Sequence, residues 1–585
     1  MYSMDDVGKR ESCCCLNRAR LALVAIVTSL GAMPVGWAGE IATDNPDLTI
    51  RWDNTVKYSN AWRIHNPSSI LTANRNLNDG DANFNRGMIS NRLDLLSEFD
   101  LTYKQMGMRL SAAAWYDDIY NKRNDHPDDG TANQLSVPYN SFTDPTRTIH
   151  GRKVELLDAF VFSKFDLDDK PATVRAGRHA QIWGESLFFG NNAIAGGMMP
   201  VDAVKLSSVP NTLFKEAIRP VQMLSGQVQL NPDVSVAAYY QLRWQASRLP
   251  AVGSYFSQAD TSPAGAEQIL LGLPTVAQGG PYLQGNLPRV EDKNARSAGQ
   301  GGIRLTIRHG ETDYGLYAIR FHSKSPQVVT NLGLRPVTGD FPGAGCVVPG
   351  SVQTGPASCG VRGPVSYQLV YHEGITAYGA SASHTFDNVS LAAEASIRHN
   401  QNLASTGVVD TSAVGGSATD NGSHPAYATG RTAHVNLAVL WSVPPTALFR
   451  EANYSAEIIW NRVLKVEKNP SAVTPKATRD AFALRQVFEP VFRQVVPGLD
   501  LSVPVGLGYA PKGSRSMALG PVIPEGGGDL SIGLSGTYLA TWGLSLSYTH
   551  YYGSEQPVTD PSGRLTYGQP LKDRDFLAFS IRRTF

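Results

Sequence analysis

Residues 48–64 read LTIRWDNTVKYSNAWRI, and this stretch decides the fold class. Its apolar and aromatic residues fall on one face of an extended chain and its charged and small polar residues on the other, because successive side chains of a strand point in opposite directions. The alternation runs for about sixteen residues, whereas a strand of a globular protein usually has about five or six. A long strand with one apolar face is typical of a membrane-spanning β-barrel.

The same alternation recurs along the chain and predicts an all-β fold, a transmembrane antiparallel β-barrel of about eighteen strands, with sixteen as the alternative. The predicted strands are 48–63, 91–104, 107–120, 154–166, 172–180, 221–230, 233–244, 300–308, 313–322, 366–386, 389–399, 432–442, 453–462, 481–491, 499–509, 529–538, 543–552 and 573–585. The pattern is weakest at 481–491, and 366–386 is open to a reading as two strands. The gaps alternate long and short, as surface loops and periplasmic turns do in such barrels.

Composition agrees with a barrel and excludes other classes. Charged residues make up 18% of the chain, below the roughly 25% of average soluble proteins. The 52 basic and 51 acidic residues balance, so nothing indicates a nucleic-acid partner. Wall aromatics such as Trp52, Trp115 and Tyr239 are interpreted as the interfacial girdle of the barrel.

The first 38 residues predict a cleavable signal peptide. Arg10, Arg18 and Arg20 precede an apolar run at 21–30, and small residues occupy positions 36 and 38, as in a leader with its cleavage site. No later stretch approaches the roughly 20 apolar residues that a membrane helix needs. We therefore expect residues 39–585 to form one barrel in the cell outer membrane.

The end of the chain, DFLAFSIRRTF at 575–585, predicts the closing strand. A terminal aromatic residue on an alternating last strand resembles the signal that the barrel-assembly machinery reads, although Arg583 departs from the usual apolar residue. The assembly machinery and the outer-membrane lipids are therefore expected partners.

Two cysteines remain after the leader, and they flank the loop sequence CVVPGSVQTGPASC. An exported protein reaches an oxidising compartment, so we expect a disulfide between Cys346 and Cys359.

Residues 180–220 lack the alternating pattern that predicts strands of the barrel wall. The stretch contains clusters of Gly, Met and Asn, and a loop of this length with its own apolar residues is usually functional or folded inward. We predict a plug or constriction there. The candidate solute-binding or constriction residues are Arg175, Arg178, His179, Trp183, Glu185, Asp202, Lys205, Lys215, Glu216 and Arg219. Their charges could bind or screen a solute, or they could only pair with charges of the lumen, since buried charges need partners for stability alone.

Four stretches carry a family resemblance: VRAGRHAQIWGESLFF at 174–189, PVDAVKL at 200–206, KEAIRPVQML at 215–224 and YYQLRWQASRLPAVGSYFS at 239–257. They resemble the core motifs of a proteobacterial outer-membrane β-barrel family that is labelled only as a domain of unknown function. The resemblance implies genomic neighbours, namely a lipoprotein-like periplasmic partner and a resistance-nodulation-division (RND) type transporter. It also implies hydrophobic compounds such as sterols, lipids or aromatic esters.

The sequence contains no complete motif of a catalytic site. Ser186 lacks the closing glycine of a nucleophile elbow, and the twelve histidines show no metal-ligand spacing, so we predict no enzyme, metal or cofactor. The sequence predicts a channel or transport component that works by passive passage, and the resemblance implies that its solutes are small, hydrophobic compounds. The alternatives are the outer-membrane component of an RND-linked transport system, a surface binding or adhesion barrel that uses the loops at 245–299 and 323–365, and a barrel hydrolase.

Overall fold

The computed structural model describes residues 39–128, 130–271, 282–283, 286–338, 351–355 and 358–585. The predicted leader at 1–38 lies outside the described residues. Cys346 does too, so its bridge to Cys359 stays a prediction.

Eighteen strands close into an antiparallel barrel in which every strand pairs with its neighbours in sequence. We number them β1 Leu48–Arg63, β2 Gly87–Tyr103, β3 Met106–Asp117, β4 Arg152–Leu167, β5 Lys170–His179, β6 Val221–Asn231, β7 Val234–Gln241, β8 Gln300–His309, β9 Thr312–Phe321, β10 Ile375–Phe386, β11 Val389–Asn402, β12 Thr429–Val443, β13 Glu451–Lys468, β14 Asp480–Val496, β15 Leu499–Ser502 continued by Val505–Ala510, β16 Gly527–Tyr538, β17 Trp542–Tyr552 and β18 Phe576–Thr584.

The barrel closes between its last and first strands. β18 pairs with β1 in the register Tyr58↔Ile581, and Asn54 and Phe585 exchange two backbone hydrogen bonds of 2.8 Å. Two-residue turns at 104–105, 168–169 and 232–233 lie at one end of the barrel, the turn end, and the long connections lie at the other, the loop end. The predicted closed barrel of eighteen strands is confirmed, and the alternative of sixteen is wrong.

Residues 366–386 belong to two strands, the alternative that the sequence left open, and only the second of them lies in the barrel wall. Ser358–Val370 pairs with Gln327–Thr338 in a five-stranded sheet at the loop end, outside the barrel wall. The chain then turns at Gly374, whose φ of 76° is a left-handed conformation that suits glycine, and only Ile375–Phe386 enters the wall. The pattern at 481–491, although weak, belongs to a full strand of 17 residues.

The remaining elements are short and lie in the connections. The helices are Asp79–Ala82, Asp144–Thr146, Ala195–Met198 and Ala203–Ser208, with single turns at Ile119–Asn121, Arg147–Gly151, Phe214–Ala217, Ser412–Val414 and Pro470–Ala472. The additional strands are Gly39–Ile41, Gln268–Leu270, Tyr282–Leu283, Asn286–Pro288, Ser351–Gly355 and Val409–Asp410. Among the described residues, no helix has both the length and the apolar character to cross a membrane.

The inner and outer faces of the barrel wall differ in burial, as the alternation of the sequence requires. On β13, Glu457 and Ile459 are buried, whereas Ile458 between them is half exposed on the outer surface. Two aromatic residues that were interpreted as girdle face inward instead. Trp115 lies under the guanidinium of Arg248, and Tyr239 packs against Trp183. The interpretation was wrong for these two because the lumen contains enough protein to bury rings there.

Two parts of the chain fold into the barrel and bury aromatic side chains there. Residues 180–220, the lumen segment, pack against the inner face of β6–β10 through Trp183, Ile194 and Met198. At the loop end, Phe84, Tyr120, Phe142 and Tyr255 from three long connections cluster on the top of β17 and β18.

Candidate functional site

The lumen segment leaves the wall after β5 and returns to it at β6. Trp183 is 1% exposed and packs edge-on against Tyr239, with ring centroids 5.0 Å apart. Leu187, Phe188 and Phe189 pack against β13 and β14, on the far side of the lumen from β5. The Asn211 side chain then accepts a hydrogen bond of 3.2 Å from Ser531 on β16. The segment therefore crosses the lumen.

Two wall carboxylates hold the backbone of the segment. Glu457 on β13 accepts hydrogen bonds from the backbone N–H groups of Leu187, Phe188 and Phe189, at 3.2, 2.5 and 2.9 Å. Glu394 on β11 accepts from the N–H groups of Glu185 at 2.9 Å and Ile194 at 2.6 Å. Buried N–H groups without partners are costly, so irregular backbone inside a barrel needs such acceptors.

The carbonyl groups of the segment have matching donors. Arg398 on β11 donates from Nη2 to the carbonyl oxygens of Asn191, Asn192 and Ala193, at 3.0, 2.9 and 2.8 Å. The Asn192 side chain in turn donates to the side-chain oxygen of Asn436 at 2.9 Å. These bonds explain how a stretch without regular structure keeps one conformation in the lumen.

The glycines of the segment allow close packing. A β-carbon at Gly190 would lie 2.1 Å from the ring of Phe214, and one at Gly197 would lie 2.7 Å from the ring of Phe321. Real β-carbons do not approach rings so closely, so the glycine cluster seen in the sequence is a packing requirement of this fold.

A salt-bridge network joins the segment to β4. Arg219 donates to Glu155 at 2.9 Å, and Arg248, which also contacts Glu155, pairs with Asp202 at 2.7 Å. Asp202 also caps the helix at Ala203–Ser208 by accepting from the N–H of Lys205. Two of the predicted site residues, Asp202 and Arg219, therefore have partners that explain them structurally.

Of four other predicted residues, Arg175, Arg178 and His179 lie on β5, and Glu185 lies near the start of the segment. Arg175 lies 6.0 Å from the ring centroid of Phe160, and Arg178 donates to the carbonyl of Leu157 at 2.7 Å. His179 is buried and contacts the Ser225 hydroxyl at 2.7 Å. Burial raises the pKa of the Glu185 carboxyl.

Four predicted residues are exposed, namely Arg175 on β5 and three residues late in the segment. Lys205 donates to the carbonyl of Glu216 at 2.9 Å, and the side chains of Lys205, Lys215 and Glu216 are accessible to solvent. Together with Arg175, they are the members of the predicted set that a passing solute could meet.

The sequence analysis missed Glu394, Arg398 and Glu457 as site residues. The available signal is that a charged residue interrupts an otherwise small or apolar strand, as in AAEAS at 392–396 and SAEIIW at 455–460. Their strands were predicted, but their partners lie about 200 or more residues away in sequence.

The lumen has a filled half and an open half. The Glu457 side chain, beneath the segment, is fully buried, whereas Glu98 and Asp100 on β2 keep 30% and 35% side-chain exposure. Arg109 on β3 pairs with both of these carboxylates and is 32% exposed. The inner faces of β1–β4 therefore border water.

A cavity of about 1210 Å³, the vestibule, lies at the loop end above the segment. Its lining includes Phe188, Phe214, Leu571, Phe576 and the Arg485–Asp529 ion pair. Among the described residues, no cluster of three His, Cys, Asp or Glu side chains could hold a metal ion.

Residues 19–585 match the family described as "Protein of unknown function (DUF1302)". The chain belongs to this family. The match confirms the resemblance to a family labelled as a domain of unknown function, and it extends from the motifs at 174–257 to most of the chain. No curated protein matches the sequence.

Solved structures of outer-membrane proteins are similar to this DUF1302 member at low sequence identity. OccAB4 of Acinetobacter baumannii is 10% identical, with 92% of this chain and 100% of that chain covered and a TM-score of 0.40. The outer membrane channel DcaP of the same species is 8% identical, with coverages of 94% and 100% and a TM-score of 0.36. OpdK of Pseudomonas aeruginosa with vanillate is 10% identical, with coverages of 91% and 98% and a TM-score of 0.39.

Proposed function

We propose that this protein is a passive outer-membrane channel for small, hydrophobic compounds. The observation that carries the proposal is the half-open lumen. The segment covers the inner face of β6–β14, but the polar side chains of β1–β4 remain exposed to water beside it. A barrel with a narrowed, water-lined lumen is suited to passage and needs no bound cofactor.

The vestibule supports the hydrophobic class of solute. Its volume of about 1210 Å³ exceeds the roughly 300–1,000 Å³ of ordinary ligand pockets. Aromatic rings of Phe188, Phe214 and Phe576 line it together with amide and hydroxyl groups. Such a lining suits a solute with a large apolar body and few polar groups.

Narrowing the open half tests the proposal. Ser59 on β1 faces inward between Arg92 and Ser580, so Ser59→Trp places a bulky ring in the path. The neighbouring Tyr58 faces outward, and Tyr58→Trp is the matched control. We expect cells with wild-type protein or the Tyr58 variant to take up a hydrophobic probe such as a sterol ester faster than cells that lack the protein or carry the Ser59 variant.

Equal uptake by all four strains, with hydrophobic and hydrophilic solutes alike, would contradict the channel. Faster uptake of hydrophilic solutes only would keep the channel and contradict the hydrophobic class.

A further inference from the structure

An ion pair lies in the lining of the vestibule. Arg485 on β14 and Asp529 on β16 stand on either side of Gly508 of β15, in direct register with it. Arg485 Nη2 donates to Asp529 Oδ1 at 2.5 Å. A β-carbon at Gly508 would lie 2.7 Å from that oxygen and 2.8 Å from that nitrogen, so glycine at this position lets the two side chains meet across the strand.

The pair lies where the vestibule meets the lumen segment. Ser531, which donates to the Asn211 side chain of the segment, is two residues from Asp529 along β16 toward the turn end. Asn211 lines the vestibule together with the pair. A solute that moves from the vestibule toward the segment therefore meets Arg485 and Asp529.

Each member of the pair keeps hydrogen-bonding capacity that the protein does not use. Among the described residues, none accepts from Nε or Nη1 of Arg485, and none donates to Oδ2 of Asp529. These atoms are accessible, and the two side chains keep 20% and 19% exposure. The pair therefore presents hydrogen-bond donors and an acceptor side by side.

The other charged side chains in the described lining of the vestibule already have partners. Lys324 and Arg398 are buried and donate to backbone carbonyl groups. Asp560 pairs with Arg564 at 2.9 Å. Within the described lining, the Arg485–Asp529 pair is thus the charged group best placed to bind a solute.

Apolar side chains flank the pair. Phe188 and Ile459 line the vestibule and cluster with Val487, which is two residues from Arg485 on β14. On the other side, Tyr551 of β17 is the partner of Asp529 in register and also lines the vestibule. A polar pair between apolar groups can fix the polar end of a solute whose body packs on those groups.

We propose that the Arg485–Asp529 pair binds the hydroxyl group of a neutral, hydrophobic alcohol or phenol. A hydroxyl group can accept a hydrogen bond from the guanidinium and donate one to the carboxylate. Asp529 would repel a carboxylate and Arg485 an ammonium group, and an ether could accept from Arg485 but could not donate to Asp529. This inference rests on the proposed channel function and narrows its substrate class.

Equilibrium dialysis of the purified protein in lipid nanodiscs tests the inference, with empty nanodiscs to subtract partition into lipid. The probes are 2-naphthol, its ether 2-methoxynaphthalene and the anion 2-naphthoate, at neutral pH. We expect 2-naphthol to bind at least about tenfold more tightly than either of the others, since a hydrogen bond to a charged group contributes about that much.

Two variants assign the preference to the pair. Arg485→Met with Asp529→Leu removes both charges together, so that neither is left unpaired, and should abolish the preference for 2-naphthol. Asp529→Asn keeps the shape of the side chain and leaves Arg485 without its counter-charge, so it should reverse the preference toward 2-naphthoate.

Arg462→Met with Asp480→Leu is the matched control. It removes a cross-strand pair of the same residue types, 3.1 Å apart and outside the lining of the vestibule, and should keep the preference for 2-naphthol. Wild-type protein without that preference, or a preference unchanged in both variants of the Arg485–Asp529 pair, would overturn this inference alone. The absence of any conductance from a folded barrel in a lipid bilayer would overturn the channel itself.

Discussion

At the scale of single residues, Glu457 shows how a wall side chain can position irregular backbone. Its carboxylate is fully buried and accepts three backbone N–H groups of the lumen segment and the amide of Asn436, the latter at 2.7 Å. A buried carboxylate with this many donors organises the segment and needs no counter-cation.

Glu457→Ala should loosen the segment without opening the barrel. It leaves the buried N–H groups of Phe188 and Phe189 unpaired, at about 1–3 kcal/mol each, and the part-buried N–H of Leu187 as well. We expect a larger single-channel conductance and faster proteolysis within residues 180–220. Glu467→Ala on the same strand removes only an exposed ion pair with Arg431 and should change neither. Identical conductance in the two variants would show that Glu457 does not hold the segment.

Lys324 should make stability depend on pH. Its ammonium group is buried against the carbonyl groups of Gly197 and His322, and burial lowers its pKa from 10.5 to about 7. Between these values the folded state binds fewer protons than the unfolded state, so stability rises as pH rises from about 7 toward 10.5. Lys324→Met should flatten the rise of the unfolding midpoint between about pH 7 and pH 10. Lys122→Met, in an exposed loop, should preserve that rise. A rise of wild-type size in the Lys324→Met variant would show that Lys324 does not cause the dependence of stability on pH.

The sequence located the segment that departs from the strand pattern. It did not show which residues the side chains of that segment contact. The pattern of Gly, Met and charged residues located the segment at 180–220 because these residues break strand alternation. It could not show that Asp202 and Arg219 are structural while Lys205 is exposed, because their partners Glu155 and Arg248 lie on other elements.

At the scale of elements, the strands were predictable because each has one face toward lipid and one toward the lumen. The ambiguity between one strand and two at 366–386 has the same origin. Ser358–Val370 has strand propensity, but periodicity cannot distinguish a strand of the wall from one of a sheet at the loop end. The path of the lumen segment has no periodicity at all, and contacts such as that of Glu394 with Ile194 decide it.

The backbone of the segment is bound at β11 and β13 and its Asn211 side chain at β16, so we expect it to act as a fixed element and not as a moving gate. A covalent cross-link between the segment and the barrel wall should therefore leave conduction intact. The side chains of Asn211 and Ser531 touch at 3.2 Å, and cysteines at both positions should form a disulfide that a reducing gel detects. We expect oxidised and reduced forms to conduct equally. Loss of conductance on oxidation, restored by reduction, would show that passage needs the segment to move.

At the scale of the whole molecule, closure between β18 and β1 completes the backbone hydrogen bonding that a membrane demands. Deleting residues 576–585 would leave the facing edges of β1 and β17 without partners, and each unpaired backbone group in lipid costs several kcal/mol. We expect no folded barrel, seen as loss of the heat-sensitive fast band in gel electrophoresis. The short strand Gly39–Ile41 also pairs with β1, but it takes no part in closure. Glu40→Gly with Ile41→Gly should therefore keep the fast band, and a folded barrel from the deletion would mean that the seam is dispensable.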